Sequence, residues 1–480
     1  MGPESSSTAR ARGRRRALCG VLAAAALVVA SCGDDDDDDA GGGASTEAPA
    51  DGATTTAADD TDGTTTTAES GGATTGTSGT GDTGAPVGDV EPGGNPTVGT
   101  GDVPAEGDPI KVMTVAPINS QTPPYPNIHE AARIYGEWLN DRGGINGRPL
   151  EVILCDGRGD PNEDANCGRQ AADEGVVALV GSFSFDMSQL VPILEDENIA
   201  LFGSCCPIAE IELSSPISFV TGSNFAIGAG AVQKLIDDGC ESTAVVIIDV
   251  PIADFAESVT RAVYEYNGRD PDELKFVRIP LTASDYSAQV AQAIDGTDCI
   301  YGGISDQNWA AFLPAMQSLG GTQRLYGHQG NLNGPIAEQF PELTEGGITV
   351  NAYPNIAGPM WEDYRAALEE YDAPDLDWNS LAGLGTWAAY EEFVAIVQDM
   401  EGEITNDTFM DAANSATNVE TGGMAPPLDL STPWDGMGGA YSRVFNRTVT
   451  FDQISDGELT PTDDPPQDMT DALNSWTPDS

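Results

Sequence analysis

Histidine and basic residues are scarce in this sequence of 480 residues. It has two histidines, His129 and His328, and 20 Lys and Arg against 77 Asp and Glu, which gives a formal net charge of −57. A surface this acidic repels nucleic acid and anionic lipid, so we expect neither to bind. The charge has two interpretations: it keeps the protein soluble, for example in a salty medium, or it attracts a cationic ligand.

The signatures of common enzyme classes are missing as well. There is no G-x-S-x-G, H-E-x-x-H or P-loop sequence, and no G-x-G-x-x-G follows a predicted strand. With two histidines, histidine-based acid–base chemistry has few candidates. We therefore predict neither an enzyme nor a bound cofactor or metal, with a secreted hydrolase on an α/β scaffold as the alternative.

No apolar run is long enough to cross a membrane. The longest, Ala17–Ala30, has 14 residues, follows the basic stretch Arg10–Arg16 and ends in Val29-Ala30-Ser31-Cys32. That tetrapeptide resembles the bacterial lipobox. We predict that residues 1–31 are a lipoprotein signal peptide and that Cys32 is lipidated, which would anchor the exported protein to the outer face of the cell membrane. The alternative is an ordinary secretory signal followed by a chance cysteine.

Residues 32–108 lack large apolar side chains almost entirely. Asp34–Asp39 is a run of six aspartates, and the rest is Gly, Thr, Ser, Ala and Pro with scattered acids. Such a composition cannot bury enough apolar surface to fold, so we predict a disordered tether. The aspartates are a solvated charge run or a weak cation site, and the threonines either form a bare spacer or carry O-linked sugar.

From Pro109 onwards, short apolar runs alternate with helical periodicity. IKVMTVA (110–116), PLEVILC (149–155) and VVALVG (176–181) read as buried strands, and the apolar residues of 128–139 recur at helical spacing. The same alternation restarts after residue 222. It predicts an α/β fold with parallel sheets, whose carboxyl-end loops form the binding edge. We also predict an antiparallel edge strand over Tyr441–Phe451 and a loosely docked acidic tail over 461–480.

The order of these segments resembles that of type I periplasmic solute-binding proteins of the branched-chain amino-acid-binding class. The resemblance spans residues 109–455 and is carried by IKVMTVAPIN, DRGGINGRPLEV, GDPNEDANC, VALVGSFS and NIALFGSC, and then by AVVIID, DCIYGGI and RLYGHQG. It implies two Rossmann-like lobes joined by a three-crossover hinge. Lobe 1 would comprise 109–221 and 352–428, and lobe 2 would comprise 222–351 and 429–460.

The resemblance also implies a function. Such proteins are monomers that close on a small molecule and deliver it to the permease subunits of an ABC importer, so we predict a solute-binding protein. The same fold serves as a sensor module for a membrane receptor. Neighbouring genes would discriminate the two, because permease genes indicate import and a kinase gene indicates sensing.

Several family binding positions carry other residues here. Phe185 and Pro207 stand where hydroxyls hold a substrate carboxylate, and Gln329 stands where a carboxylate holds an ammonium. We therefore expect an uncharged or more apolar solute rather than a plain α-amino acid. Asp186 and Asp254 would serve a cation if they pointed inward. The predicted cleft residues, all in loops after predicted strands, are Asn119, Ser120, Tyr125, Ser184, Phe185, Cys205, Phe255, Asp306 and Gln329. His328 is a further candidate donor or a structural loop histidine.

Six cysteines follow the lipidated Cys32 in the folding part of the chain. Export favours disulfides, and we predict the pairs Cys155–Cys167 and Cys240–Cys299 from their places on neighbouring elements. The adjacent Cys205 and Cys206 form a vicinal disulfide, remain two free thiols or hold a metal, and the sequence leaves these alternatives open.

Overall fold

The computed structural model describes residues 104–477 except 121–122, 205, 208, 251–252, 282 and 284. The predicted signal peptide, Cys32 and nearly all of the tether lie outside the described residues. Among the residues that are described, no helix is both long and apolar enough to cross a membrane.

Strands and helices alternate over most of the chain as far as β10, and three helices and three strands then follow in succession. The first run is β1 (Ile110–Ala116), α1 (Pro126–Asp141), β2 (Leu150–Asp156), α2 (Pro161–Glu174), β3 (Ala178–Val180), α3 (Val191–Asp196), β4 (Ala200–Phe202), α4 (Glu210–Ser214) and β5 (Ser218–Phe219). The second is α5 (Ile227–Asp237), β6 (Thr243–Ile248), α6 (Ala253–Tyr266), β7 (Lys275–Ile279), α7 (Ser287–Ile294), β8 (Cys299–Gly303), α8 (Asp306–Leu319), β9 (Arg324–His328), α9 (Gly334–Gln339), α10 (Pro341–Thr344) and β10 (Ile348–Asn351). The third is α11 (Glu362–Glu370), α12 (Leu381–Val397), α13 (Asn406–Ala413), β11 (Thr448–Ser455), β12 (Glu458–Pro461), β13 (Gln467–Asp468) and α14 (Thr470–Asn474).

The strands form two sheets, and the α/β prediction is confirmed. The first is fully parallel, in the order β2-β1-β3-β4-β5. The second runs β12-β11-β10-β9-β8-β6-β7, with β13 beside β11, and is parallel from β10 to β7. We call the first sheet with α1–α4 and α11–α13 lobe 1, and the second sheet with α5–α10 and α14 lobe 2.

Lobe 1 is organised around α12, which is apolar on nearly every side. Of its 17 residues 15 are buried, so it needs cover from all directions. α1 supplies much of it, because its buried face recurs at helical spacing from Ile128 to Leu139. The ring of Trp387 lies 4.8 Å from that of Tyr135 and 5.1 Å from that of Trp138. This packing joins parts of the chain about 250 residues apart.

The chain passes between the lobes three times, after β5, after β10 and before β11. The first and third crossovers run side by side. The Val220 amide donates to the Arg443 carbonyl at 3.0 Å, and the Phe445 amide donates to the Val220 carbonyl at 2.9 Å. The second packs on the first, because a Cβ at Gly222 would collide with the Tyr353 hydroxyl. These contacts form one hinge.

Two predictions about the end of the chain were wrong. Residues 441–447 are not a strand, and β11 begins at Thr448 with partners on both sides, so it is not at the edge of the sheet. The predicted loose tail is firmly docked. It forms β13 and α14 and buries Met469, Ala472 and Leu473 against lobe 2. Its proline and acid content hid the apolar turn of α14, whose buried side chains help to dock it.

Both predicted cysteine pairs are confirmed. Cys155–Cys167 closes 12 residues and Cys240–Cys299 closes 59. Cys206 is also disulfide-bonded, which excludes a free thiol there. Cys205 lies outside the described residues, so the vicinal bond stays a prediction.

A buried carboxyl lies beneath the hinge. Glu392 of α12 is 0% exposed, and neither of its oxygens has a hydrogen-bond partner of good geometry in the described part of the chain. Burial raises its pKa to about 8, the neighbouring Glu391 adds to the rise, and the Thr221 hydroxyl opposes it. Its charge also acts on Tyr353, so it lies close to the first and second crossovers.

We expect Glu392 to make stability fall as the pH rises. The folded state keeps the proton up to about pH 8, whereas the unfolded chain releases it near pH 4.5, so each intervening pH unit costs about 1.4 kcal/mol. Glu392→Gln should make the free energy of unfolding less dependent on pH between pH 5 and 8. Above that range, the variant should have a larger free energy of unfolding than the parent. Urea titrations at several pH values measure this. The exposed Glu342→Gln is the control, and parallel curves for both variants would refute the assignment.

Candidate functional site

The carboxyl ends of β1, β3 and β4 carry a separate apolar cluster. Its buried members are Ala116, Ile128, Phe183 and Ala382, and Ile118, Tyr125, Phe185 and Cys206 pack against them half-buried. Because the strands are parallel, these ends lie on one edge of the sheet, where open α/β sheets bind ligands. The edge of lobe 1 is therefore apolar.

Three aromatic side chains dominate that edge. The ring of Tyr125 lies 4.9 Å from that of Phe183 and 6.0 Å from that of Phe185, and the two phenylalanine rings are 5.0 Å apart. We call these three the lobe 1 aromatic group. Edge-to-face contacts of this kind hold the rings in fixed relative positions.

The negative charge of Asp306 in lobe 2 acts on Tyr125 of this group. Asp306 begins α8, directly beyond β8, and its carboxylate is exposed. Burial raises the pKa of the Tyr125 hydroxyl, and the negative charge of Asp306 raises it further. Burial and the same charge also raise the pKa of Asp377, which precedes α12 in lobe 1. Asp306 therefore lies near both residues across the gap between the lobes.

A direct contact closes the gap beside this acidic pair. Gly330 follows β9 at φ +78°, and a Cβ there would lie 3.3 Å from the Cα of Ser380 in lobe 1. The Ser380 hydroxyl in turn accepts from Asn127 Nδ2 at 2.8 Å. Only a residue without a side chain allows this approach at a positive φ, so the glycine lets the two lobes meet.

The loops at the binding edge carry almost no positive charge. In the loops after β1–β4 and β6–β9 the only Lys or Arg is Arg158. It pairs with Asp156 at 3.9 Å, and that carboxylate also accepts from Asn119 Nδ2 at 2.6 Å. Burial opposes ionisation of Asp156, but the donors Ile118, Asn119 and Arg158 outweigh it and lower its pKa. The acids at this edge therefore outnumber the bases.

Ser184 lies beneath the edge rather than on it. It is 1% exposed, and its hydroxyl donates to the carboxylate of Asp164, which is also 1% exposed. Burial raises the pKa of Asp164 to about 6; the Ser184 hydrogen bond lowers it, and the charges of Asp186, Asp160 and Asp156 add to the rise. Ser184 thus stabilises a buried acid in this conformation.

Gln329 has a structural role in this conformation. It is 2% exposed, its Nε2 donates to the Tyr353 carbonyl at 3.0 Å, and its Oε1 accepts from the Tyr353 amide at 3.2 Å. Both ends of its amide are therefore occupied by the second crossover. His328 is similarly engaged, 2.7 Å from the Tyr301 hydroxyl, and burial lowers its pKa to about 4.

Phe255 belongs to a second aromatic cluster. Its ring lies 5.2 Å from that of Tyr441, 5.5 Å from that of Trp476 and 6.0 Å from that of Phe225. We call these four the hinge aromatic group. Among the ring pairs of the described residues, none connects it to the lobe 1 aromatic group.

The predicted cleft residues thus divide by their surroundings. The structure brings together Tyr125, Phe185 and Asp306, and places Asn119 and the half-buried Ser120 in the adjoining β1–α1 loop. Cys205 lies outside the described residues. The sequence prediction missed Phe183 and Asp377. Phe183 had a signal, since it alternates with Phe185 beyond the same strand, whereas Asp377 is 252 residues from Tyr125 and had none.

The fold and this edge define a class of two-lobed proteins that bind a small solute between the lobes. Comparison with known families agrees: the model described as "Periplasmic binding protein" matches residues 110–444. The chain belongs to the periplasmic binding protein family, as the sequence predicted. It is a solute-binding protein and not an enzyme, and family membership implies export.

Solved structures with the same fold include proteins with different solutes. A fatty acid ABC transporter substrate-binding protein from Thermomonospora curvata has a TM-score of 0.64 and 19% identity, and the match covers 79% of this chain and 98% of the chain of that protein. A leucine-binding protein from Thermotoga maritima has a TM-score of 0.59 and 18% identity, over 75% and 99%. An ABC transporter substrate-binding protein from Sphaerobacter thermophilus has a TM-score of 0.61 and 15% identity, over 76% and 100%.

One curated relative matches by sequence. It is the leucine-, isoleucine-, valine-, threonine- and alanine-binding protein of Pseudomonas aeruginosa, which is 26% identical over 106 residues. That match spans 22% of this chain and 28% of the length of the relative.

We expect Gln329→Met to lower the free energy of unfolding by about 2 kcal/mol, because it leaves a buried amide and carbonyl of Tyr353 without partners. Urea denaturation measures this loss. The matched control is Gln307→Met on the exposed first turn of α8, which should change stability by less than about 0.5 kcal/mol. Equal stabilities of the two variants would contradict the structural role of Gln329.

Proposed function

We propose that the protein is the lipid-anchored solute receptor of an ABC importer and that its solute has an apolar body with a neutral or cationic head. The observation that carries the solute class is the lobe 1 aromatic group, whose Tyr125 lies within electrostatic range of Asp306. Aromatic faces bind apolar bodies and cations alike, and a carboxylate in a closing cleft needs a positive or hydrogen-bonding partner.

The charges at the edge argue against anionic solutes. A carboxylate held between the lobes would face Asp306 and Asp377, and the one base of these loops already pairs with Asp156. Like charges in a partly desolvated site repel strongly. A fatty acid or a plain amino acid would need donors that this edge directs elsewhere, as Ser184 shows by its bond to Asp164.

The proposed head-group preference can be measured with three probes that share one body. 2-Phenylethylamine and 2-phenylethanol should bind, and phenylacetate should bind at least about tenfold more weakly than the amine, because one unfavourable charge contact is worth about 1.4 kcal/mol or more. Isothermal titration calorimetry gives the three affinities. Tightest binding of phenylacetate, or binding of none of the three, would refute the solute class.

Asp306 should account for the preference for a cation. Asp306→Asn should weaken the binding of 2-phenylethylamine about tenfold and change the affinity for 2-phenylethanol by less than about twofold. The matched control is Asp295→Asn, at the other end of β8, whose carboxylate is 89% exposed and lies 3.9 Å from Lys275. An equal effect of both variants on the amine would show that Asp306 is not the facing group.

Anchoring through Cys32 has its own test. The full-length protein produced in bacteria should partition into the detergent phase, and Cys32→Ala should move it to the aqueous phase, because acyl chains supply about 0.8 kcal/mol per buried CH₂. Cys19→Ala, within the predicted signal peptide, is the control and should leave partitioning unchanged. Membrane retention of Cys32→Ala would contradict the anchor.

A further inference from the structure

The segment after β12 wraps around lobe 2. We call residues 462–477 the C-terminal strap. Asp464 pairs at 2.9 Å with Lys234, a lysine that is only 9% exposed and also pairs with Asp238 at 2.7 Å. Further along, Arg447 Nε donates to the Thr470 hydroxyl at 2.8 Å. These bonds fix the path of the strap up to α14.

Beyond α14 the strap follows α6 towards its first turn. The Ser475 hydroxyl donates to the Ala262 carbonyl at 3.2 Å, and Trp476 Nε1 donates to the Ser258 hydroxyl at 2.8 Å. The Trp476 ring then meets Phe255. Successive strap residues therefore contact residues about one helical turn nearer the start of α6, which lies beyond the carboxyl end of β6.

The place that the strap reaches is close to lobe 1. Two residues beyond Tyr441, the Arg443 amide donates to the Leu213 carbonyl of α4 in lobe 1 at 3.0 Å. Burial raises the pKa of Tyr441, and the negative charge of Glu210, also in α4, raises it further. Tyr441 contacts Phe255 at 5.2 Å and Trp476 at 6.5 Å between ring centroids. The hinge aromatic group thus stands where the two lobes approach each other. Trp476 is only half-buried there.

We propose that Trp476 is a specificity-determining residue of the cleft, which completes the lobe 2 wall by holding the Phe255 ring against Tyr441. This inference rests on the proposed function, since the wall matters only if a solute with an apolar body binds between the lobes. The indole hydrogen bond to Ser258 holds the tryptophan against the helix that carries Phe255, so the two rings form one surface. The wall contacts the body of the solute and not its head.

The test compares probes with and without a ring. Trp476→Ala should weaken the binding of 2-phenylethylamine about tenfold and that of ethylamine by less than about twofold. Only 2-phenylethylamine has an apolar ring that reaches the wall. Trp476→Phe keeps a ring but loses the bond to Ser258 and should give an intermediate loss of about threefold. The control is Tyr266→Ala at the other end of α6, 51% exposed, which should change neither affinity.

The outcomes separate the two proposals. If the parent protein binds neither amine, the proposed solute class fails and this inference falls with it. If the parent binds 2-phenylethylamine and both Trp476 variants bind it with the affinity of the parent, the inference alone is overturned. Equal weakening of both amines would also overturn it, because that result assigns Trp476 a general structural role. Trp476→Phe keeps the test decisive if the alanine variant does not fold.

Discussion

The burial of α12 is the constraint on which the rest of the structure depends. A helix with 15 of 17 residues buried must be covered on all sides, and its cover is α1 and the first sheet. The chain therefore returns to lobe 1 after building most of lobe 2, and crosses again to add β11. Three crossovers follow from this return. The position of Asp377 and Ser380 also follows from this return, because both lie just before α12. Asp377 is within electrostatic range of Asp306 in lobe 2, and Ser380 lies against Gly330 of lobe 2.

The same arrangement gives the cleft its chemistry. Parallel strands bring Tyr125, Phe183 and Phe185 to one edge, and the return of the chain adds an acid to that edge. Lobe 2 presents another acid, Asp306, and the C-terminal strap adds aromatic surface near the hinge. An apolar wall with facing carboxylates differs from a site built to hold the carboxylate of an amino acid, although the fold is the same.

The scaffold could be predicted from the sequence because its signals are local. The strand over 110–116 matches the prediction to the residue, and both cysteine pairs follow from places on neighbouring elements. The site was harder because its contacts are distant in sequence. Ser184 and Gln329 lie in the expected loops, yet both are committed to buried partners that only the fold reveals. The tail was misjudged for the same reason: its composition is that of a loose segment, and its anchors are a buried turn and bonds to residues distant in sequence, such as Lys234 and Ser258.

The proposed solute class therefore rests more on departures from the family pattern than on the fold. Phe185, in place of a hydroxyl, belongs to the aromatic edge, whereas the family resemblance without such departures would have predicted amino-acid binding. The most direct test is native mass spectrometry of the protein purified from its own cells, with the bound molecule released and identified. The account predicts a neutral or cationic molecule with an apolar body. Release of a fatty acid or a free α-amino acid would contradict it.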